Sequence, residues 1–373
     1  MKHSAPIVHF LYEPGNGGLD RVAVLLANGM AERGLPIELW LTKDTGAVAQ
    51  IISADVKIRM VPMPKFGGRG LQLLLQIPSV ARMIRKHRPK AIFSAGNQTN
   101  LSLAIARQLA GRPLTKIIQK ITNPVLRPGS RKWQKIARIW RFGMTASLGD
   151  MTLILSEADA RNYAQIYPHT ASKFHVVPNP YVTADMLSAG AAKTVRDAGQ
   201  LPRLLSAGRL VPQKGYQTLV SALALIAEHP WSLTILGDGP LLQETKYQAE
   251  QLGVADRITF KGFVHDVTPY LCQSDILVLS SQWEGLPAIP IEALAAGCAI
   301  VATDCSEGLT ELLSETGQHT VPVQNPEALA KAILDEIHSP RPIKPLIACA
   351  SAYSIENSVD QHLKLLEKVC EAP

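Results

Sequence analysis

"EGLPAIPIEALAAGCAIVATD", residues 284–304, carries two glutamates, Glu284 and Glu292, with Pro287 and Pro290 between them. One continuous helix would tolerate neither proline in its interior, because each removes a backbone donor and crowds the preceding turn. The stretch divides instead. "DILVLSS" (275–281) is a β-rich run, "QWEGLP" is the loop after it, and "AIVATD" (299–304) is the next β-rich run. Between them the spacing predicts a helix over 289–296, with Pro290 in its first turn, where a missing N–H costs little. Strand, loop, helix and strand in this order form a parallel α/β unit. The division places Glu284 on the loop and Glu292 in the helix's opening turn. A first-turn acid complements the helix dipole, so Glu292 reads either as a capping residue or as a ligand. Glu284, in a Gly/Pro loop, has less structural reason to be acidic. Its carboxylate can accept hydrogen bonds from vicinal hydroxyls of a sugar or ribose.

The same alternation runs through the whole chain. Strands are expected at "PIVHFLY", "PIELWL", "VKIRMV", "KAIFSA", "KIIQKIT" and "MTLILS", then at "RLLSAG", "SLTILG", "RITFKG", "DILVLSS" and "AIVATD". Helical patterns cover 19–33, 71–86, 100–110 and 131–148 in the first half. In the second half they cover 216–228, 241–251, 289–296 and 326–338. The 373 residues suit two domains of this size. The expected architecture is α/β, with two Rossmann-like doubly wound sheets. The prolines of "HVVPNPYV" interrupt the pattern at 175–182, which sets the expected domains at 1–178 and 179–352. "SIENSVDQHLKLLEKVC" reads as an amphipathic closing helix within 353–373, with Ser354 as its N-cap, returning towards the first domain.

Charge is unevenly spread. Residues 1–178 hold 25 Lys and Arg against 9 Asp and Glu; residues 179–373 hold 13 against 22. Between Asp55 and Asp150 there is no acid at all, and 19 Lys or Arg. One-sign fields of this extent face anionic partners such as phosphate, nucleic acid or membrane. The five cysteines form no C-x-x-C pair and have no histidine at zinc spacing, which reads as buried reduced thiols in a cytoplasmic protein. No run of about 18 apolar residues predicts a membrane-spanning helix, and the N-terminus reads as a first strand rather than a signal peptide.

Three further motifs follow strands. "YEPGNGGLDRV" (12–22) brings Gly15, Gly17 and Gly18 to a strand–helix junction that can present backbone N–H groups to a phosphate; a plain turn is the alternative. "SAGRLVPQKG" (206–215) carries Arg209 and Lys214, a planar fork and a mobile point charge suited to a diphosphate, or else a solvated surface pair. "LGDGP" (236–240) can let backbone approach a ligand closely and is also a common turn.

"GNGGLDRV", "AGRLVPQKG", "LGDGP", "FKGFVHDV" and "EGLPAIPIEALAAGCAIVATD", in this order, resemble the retaining glycosyltransferases of family 4, whose GT-B fold sets two Rossmann-like domains about a central cleft. Glu284 and Glu292 match the E-x7-E pair of that family. The resemblance spans both halves and is strongest over 203–330. It implies that Arg209 and Lys214 hold the diphosphate, Glu292 the ribose hydroxyls and Glu284 the donor sugar. It places the backbone of Phe263 and Val264 at the base and Gly285 and Leu286 at the phosphates. It implies that Gly17 and Gly18 close over the phosphates, and that Gly237, Asp238 and Gly239 line the donor site. It also implies a nucleotide diphosphate sugar as donor, a UDP-sugar by frequency, with no bound metal or cofactor. The transferred group would be a hexosyl or N-acetylhexosaminyl unit.

Many members of that family carry a histidine after the fourth strand of the first domain. Here "IFSAGNQTN" offers Asn97 and "KITNPV" offers Asn123 as acceptor-side residues; His3, His9 and His87 stand elsewhere. "RPGSRKWQKIARIWRF" sets Trp133, Ile136, Ile139 and Trp140 at helical spacing among Arg131, Lys132, Lys135, Arg138 and Arg141. "LQLLLQIPSVARMIRKHR" is a second basic–apolar segment. Both fit an interfacial helix on an anionic membrane with tryptophan at headgroup level, or a core-facing stripe with a basic outer face. The resulting expectation is an enzyme on the cytoplasmic face of the membrane using a saccharide or lipid-linked saccharide acceptor. The rivals are a GT-B nucleotide-sugar epimerase and a non-enzymatic protein that binds an anionic polymer. With 5% aromatic residues and no nucleic-acid motif, nucleic acid is not an expected partner.

Overall fold

A computed structural model describes residues 5–371, apart from residues 16, 64, 65, 112, 113, 127, 128, 195, 198 and 319. The chain forms two compact units, Met1–Pro180 with Ile355–Pro373, and Tyr181–Ser354. It changes unit at 180/181 and again at 354/355, against expected breaks at 178/179 and 352/353.

The first unit holds a seven-stranded sheet of β1 (Ile7–Leu11), β2 (Ile37–Leu41), β3 (Lys57–Met60), β4 (Ala91–Ser94), β5 (Lys116–Lys120), β6 (Met151–Ile154) and β7 (Phe174–Val176). The order is β3-β2-β1-β4-β5-β6-β7, and every pairing is parallel. β1, β2 and β4 are buried on both faces, which is why they read as continuous apolar runs. Strand order reverses between β1 and β4, so the carboxyl ends of those two strands define the switch point where ligands of such sheets bind.

The helix expected over 71–86 is two helices, Arg69–Leu75 and Ile77–His87, broken at Gln76. Pro78 explains the break: proline fits the first turn of a new helix but not the interior of an old one. The Ile355–Glu371 helix packs in this unit against the Gly18–Glu32 helix. Gly29 makes that approach possible, because a Cβ there would lie 2.7 Å from Val359 Cγ2.

The second unit holds a six-stranded parallel sheet of β8 (Arg203–Ala207), β9 (Ser232–Leu236), β10 (Ile258–Gly262), β11 (Ile276–Leu279), β12 (Ala299–Thr303) and β13 (Thr320–Val321). Its order is β10-β9-β8-β11-β12-β13, so its switch point lies between β8 and β11. Leu219, Val220 and Leu223 of the Tyr216–Leu225 helix and Leu329 and Ile333 of the Pro326–His338 helix pack against this sheet.

The sequence signal missed β7 and β13, strands of three and two residues, and the helices Glu157–Ile166, Ala184–Ala191, Thr268–Gln273, Glu307–Glu315 and Ile343–Ser351. Among the cysteines, Cys298 and Cys305 are buried, whereas Cys272, Cys349 and Cys370 are partly accessible, contrary to the expectation that all five are core thiols. No helix among the described residues is long and apolar enough to cross a membrane.

Candidate functional site

In the second unit the expected donor residues gather at the carboxyl ends of the strands. Arg209 and Lys214 follow β8, Gly237, Asp238 and Gly239 follow β9, Phe263 and Val264 follow β10, and Glu284, Gly285 and Leu286 follow β11. Arg209 is exposed. Lys214 Nζ lies 2.6 Å from Glu284 Oε1, and the two side chains are only 19% and 10% exposed. Ser281 Oγ donates to the same oxygen at 2.8 Å, and Gln213 Nε2 reaches Glu284 Oε2 at 3.2 Å and the Trp283 carbonyl at 2.8 Å. One partly buried carboxylate is thus held by three donors.

The loops that carry this pair are stitched together. Ser280 Oγ donates to the Lys214 carbonyl at 2.9 Å, Gln282 N to Gln213 O at 2.7 Å, and Glu284 N to Cys305 O at 2.8 Å. Burial, reinforced by the Glu284 carboxylate, pushes the Cys305 thiol up to about 12, so this cysteine is a neutral packing group. Gly237 adopts φ +131, and a Cβ there would lie 2.0 Å from the Gly208 carbonyl oxygen. Its role in the structure is to let the β9 loop lie on the Arg209 loop. Asp238 is exposed and accepts from Gly239 N at 2.7 Å. Phe263 is half exposed, with its ring edge-on to His265 at 5.0 Å.

The Ala288–Ala295 helix starts one residue earlier than expected, with no acid in its first turn. Glu292 is its fifth residue and is buried at 4% exposure. The helix dipole acts within the first turn, so capping does not account for this carboxylate. Gly285 O accepts from Ser306 Oγ, and Leu286 O accepts from Tyr181 OH at 3.3 Å.

In the first unit, Gly17 is the N-cap and Gly18 the first residue of the Gly18–Glu32 helix that follows β1, at the β1/β4 switch point. Asp20, which the sequence reading passed over, folds back here: its carboxylate accepts from the backbones of Gly17 and Gly15. Burial raises its pKa to about 6 against the pull of Arg69. The anion at this helix start is the chain's own.

Asn97 is committed to the scaffold: Oδ1 accepts from Thr122 N at 3.0 Å and Nδ2 donates to Asn123 O at 3.0 Å. It ties the end of β4 to the end of β5, while the Asn123 side chain stands half-buried beside it.

The Lys132–Leu148 helix divides its stripe between a buried end and an exposed end. Phe142, Thr145 and Ala146 are buried and Ile139 packs beside them. Trp133, Ile136 and Trp140 are 63%, 58% and 68% exposed, with Lys132 and Lys135 exposed beside them and Arg138 half-buried on Ser130 Oγ. The acid-free region is not wholly outward, however. Arg59 pairs with Glu38 at 2.6 Å, Arg107 with Asp150 at 2.5 Å, and Lys120 is buried.

Lys120 is the second group that the sequence reading passed over. Its Nζ donates to Asn179 Oδ1 at 2.8 Å and lies 3.2 Å from His362 Nε2. His362 Nδ1 faces the Ser358 carbonyl at 2.7 Å, which requires that nitrogen to carry the proton and leaves Nε2 to accept from the lysine. Ser358 Oγ donates to Pro178 O at 2.6 Å, so β5, the segment leaving the unit and the helix re-entering it are joined by one polar ring.

Two doubly wound parallel sheets of seven and six strands, each with polar groups at its switch point, are the architecture of GT-B glycosyltransferases. Residues 201–338 match the model of the glycosyl transferases group 1 family and residues 17–180 that of the glycosyl transferase 4-like domain. The chain belongs to the family 4 glycosyltransferases. It is 23% identical over 311 residues to the N-acetylgalactosamine-N,N'-diacetylbacillosaminyl-diphospho-undecaprenol 4-alpha-N-acetylgalactosaminyltransferase of Campylobacter jejuni, covering 82% of each chain. It is 26% identical to the lipopolysaccharide core biosynthesis glycosyltransferase LpsE of Rhizobium meliloti, over 96% of this chain and 98% of that one. Among solved structures it is similar in fold to Anabaena HepE in complex with UDP and glucose, with a TM-score of 0.76, 17% identity and coverage of 98% and 100%.

Proposed function

We propose that this glycosyltransferase moves a hexosyl or N-acetylhexosaminyl unit from a nucleoside diphosphate sugar, UDP-linked, to a lipid-linked saccharide in surface polysaccharide or lipopolysaccharide assembly, with retention of configuration. The observation that carries the reading is the juxtaposition of Lys214 and Glu284, with Arg209 on the same loop as the lysine, at the β8/β11 switch point. A cation for a diphosphate stands beside a carboxylate for hydroxyls, where such sheets bind ligands. The Campylobacter relative, named for a diphospho-undecaprenol acceptor, supports the lipid-linked saccharide. The UDP in the Anabaena complex supports the base.

In this reading the bond from the sugar's anomeric carbon to the diphosphate breaks while the acceptor oxygen bonds to the same face. The acceptor's proton passes to the departing phosphate oxygen, so no side chain need serve as base. Arg209 and Lys214 stabilise the charge that grows on the leaving group. They supply the positive charge that a divalent ion would otherwise bring, so the reading needs no metal. Glu292 and Glu284 take the ribose and sugar hydroxyls. Gly237, Asp238, Gly239, Phe263, Val264, Gly285 and Leu286 would border the donor, and Asn123, beside the anchored Asn97, the acceptor. Gly17 and Gly18 would meet phosphate only after the Asp20 carboxylate is protonated or displaced.

Thermal melts in UDP, GDP and ADP, and then in their sugars, test this reading. A ligand at a hundredfold excess over its Kd stabilises the folded state by about 2.7 kcal/mol, so UDP should raise the melting temperature by several degrees. Glu292→Ala should abolish most of that shift. Stabilisation by none of the three nucleotides would defeat the proposal.

The exposed Trp133, Ile136 and Trp140 among lysines support attachment to an anionic, cytoplasmic membrane face. The protein should float with phosphatidylglycerol vesicles at low salt, and a Trp133→Ala/Trp140→Ala variant should stay at the bottom of the gradient. Absence of wild-type flotation would remove the membrane from the proposal.

A further inference from the structure

We infer that Glu284 competes with the donor's diphosphate for Lys214: the carboxylate holds the lysine at rest, the diphosphate takes it, and the exchange frees Glu284 to receive the sugar. This rests on the reading that the donor is a nucleoside diphosphate sugar. Lys214 and Glu284 are 2.6 Å apart at the carboxyl ends of adjacent strands. The lysine's stem is flexible and its charge compact, and it runs beside the Gly208 backbone, where an added Cβ would lie 3.0 Å from Lys214 Cε.

The carboxylate does not depend on the lysine alone. Ser281 Oγ and Gln213 Nε2 still donate to it when the lysine leaves, so the largely buried charge keeps hydrogen-bond partners. The backbone of both loops is pinned by the Ser280–Lys214, Gln282–Gln213 and Glu284–Cys305 bonds. The exchange is therefore a movement of side chains over a fixed platform. A ligand whose partner is occupied in the resting state binds more weakly by the fraction left available. Removing the competitor should tighten binding of a diphosphate that carries no sugar.

Calorimetric titration with UDP, GDP and ADP at low salt, on wild type, Glu284→Gln, Lys214→Met and the double variant, tests this. Glu284→Gln should bind the preferred nucleotide on the order of tenfold tighter while losing transfer, and Lys214→Met should bind it more weakly. The decisive comparison is the double variant. General repulsion between Glu284 and phosphate would persist without the lysine, whereas competition for the lysine vanishes with it. The Glu284 substitution should thus have no effect on affinity in the Lys214→Met background. Glu284→Ala provides the same comparison if the Gln variant does not melt cooperatively. If wild type binds none of the nucleotides, the underlying reading of the site fails. If wild type binds and the Glu284 variants bind no tighter, or tighten equally without the lysine, the competition alone fails.

Discussion

Replacing Lys214 by Met should lower the rate of sugar transfer by on the order of a hundredfold to a thousandfold, the usual effect of removing one preorganised donor from developing charge. As the bond to the anomeric carbon breaks, negative charge accumulates on the diphosphate. Lys214 is only 19% exposed, so its field is less screened by water than that of a surface lysine. Arg209→Lys should cost nearly as much as full removal if its planar fork grips two phosphate oxygens, because an ammonium cannot reproduce that geometry. The loss should fall on kcat more than on KM, since the charge is greatest in the transition state. Steady-state kinetics, with melting curves as a check on folding, measure this. A Lys214→Met variant within threefold of wild-type kcat would remove the lysine from the chemistry.

Raising the pH from 7 to 9.5 should stabilise the first unit by about 3 kcal/mol through Lys120 alone, at about 1.4 kcal/mol per unit of pH. Burial brings the Lys120 pKa down from 10.5 to about 7. Among the described residues no carboxylate holds the charge: its partners are Asn179 Oδ1 and His362 Nε2. His9 is itself lowered to about 3 by burial and by this lysine's charge, and is neutral across the window. The folded pKa lies below the unfolded one, so between pH 7 and 10.5 the unfolded chain binds the extra proton. Stability therefore rises with pH across that window, and the contribution is complete above 10.5. His9 extends the slope at the acid end, where stability falls from pH 6.5 towards 3. Lys120→Met keeps the volume but strands the Asn179 and His362 acceptors, so its stability at any single pH mixes two effects. The slope separates them. Urea unfolding at pH 7 and 9.5 should show the gain in wild type and lose it in Lys120→Met; equal slopes would place the proton elsewhere.

Much of this was legible because strands buried on both faces announce themselves as apolar runs. Every strand of four or more residues was expected within a residue or two. β7 and β13 were not, since three and two residues give no periodicity to count. The loops after β8 and β11 were legible because glycines and prolines punctuate them. The partners of Glu284 were not: Ser281 and Gln213 are unremarkable residue types, Ser281 acts from within the same loop, and Gln213 gains its task only where two loops 71 positions apart are paired. Glu292 is expected in the opening turn of a helix starting at 289, whereas the helix begins at Ala288 and the glutamate is its fifth residue, one position deeper. Lys120 was hidden by its company. In a stretch of 19 cations without an acid, nothing local marks Lys120 as buried.

The ring through Lys120, Asn179, Ser358 and His362 also sets an order of assembly on the ribosome. Tyr181–Ser354 carries all its own strands and can close as soon as it has emerged. The earlier-made sheet cannot: Asn179 is made with it, but His362, the other partner of its buried ammonium, and the helix that seats on Gly29 arrive only with residues beyond Ser354. The half synthesised first is therefore the half completed second, and until then it waits with a half-partnered cation and an uncovered helix face.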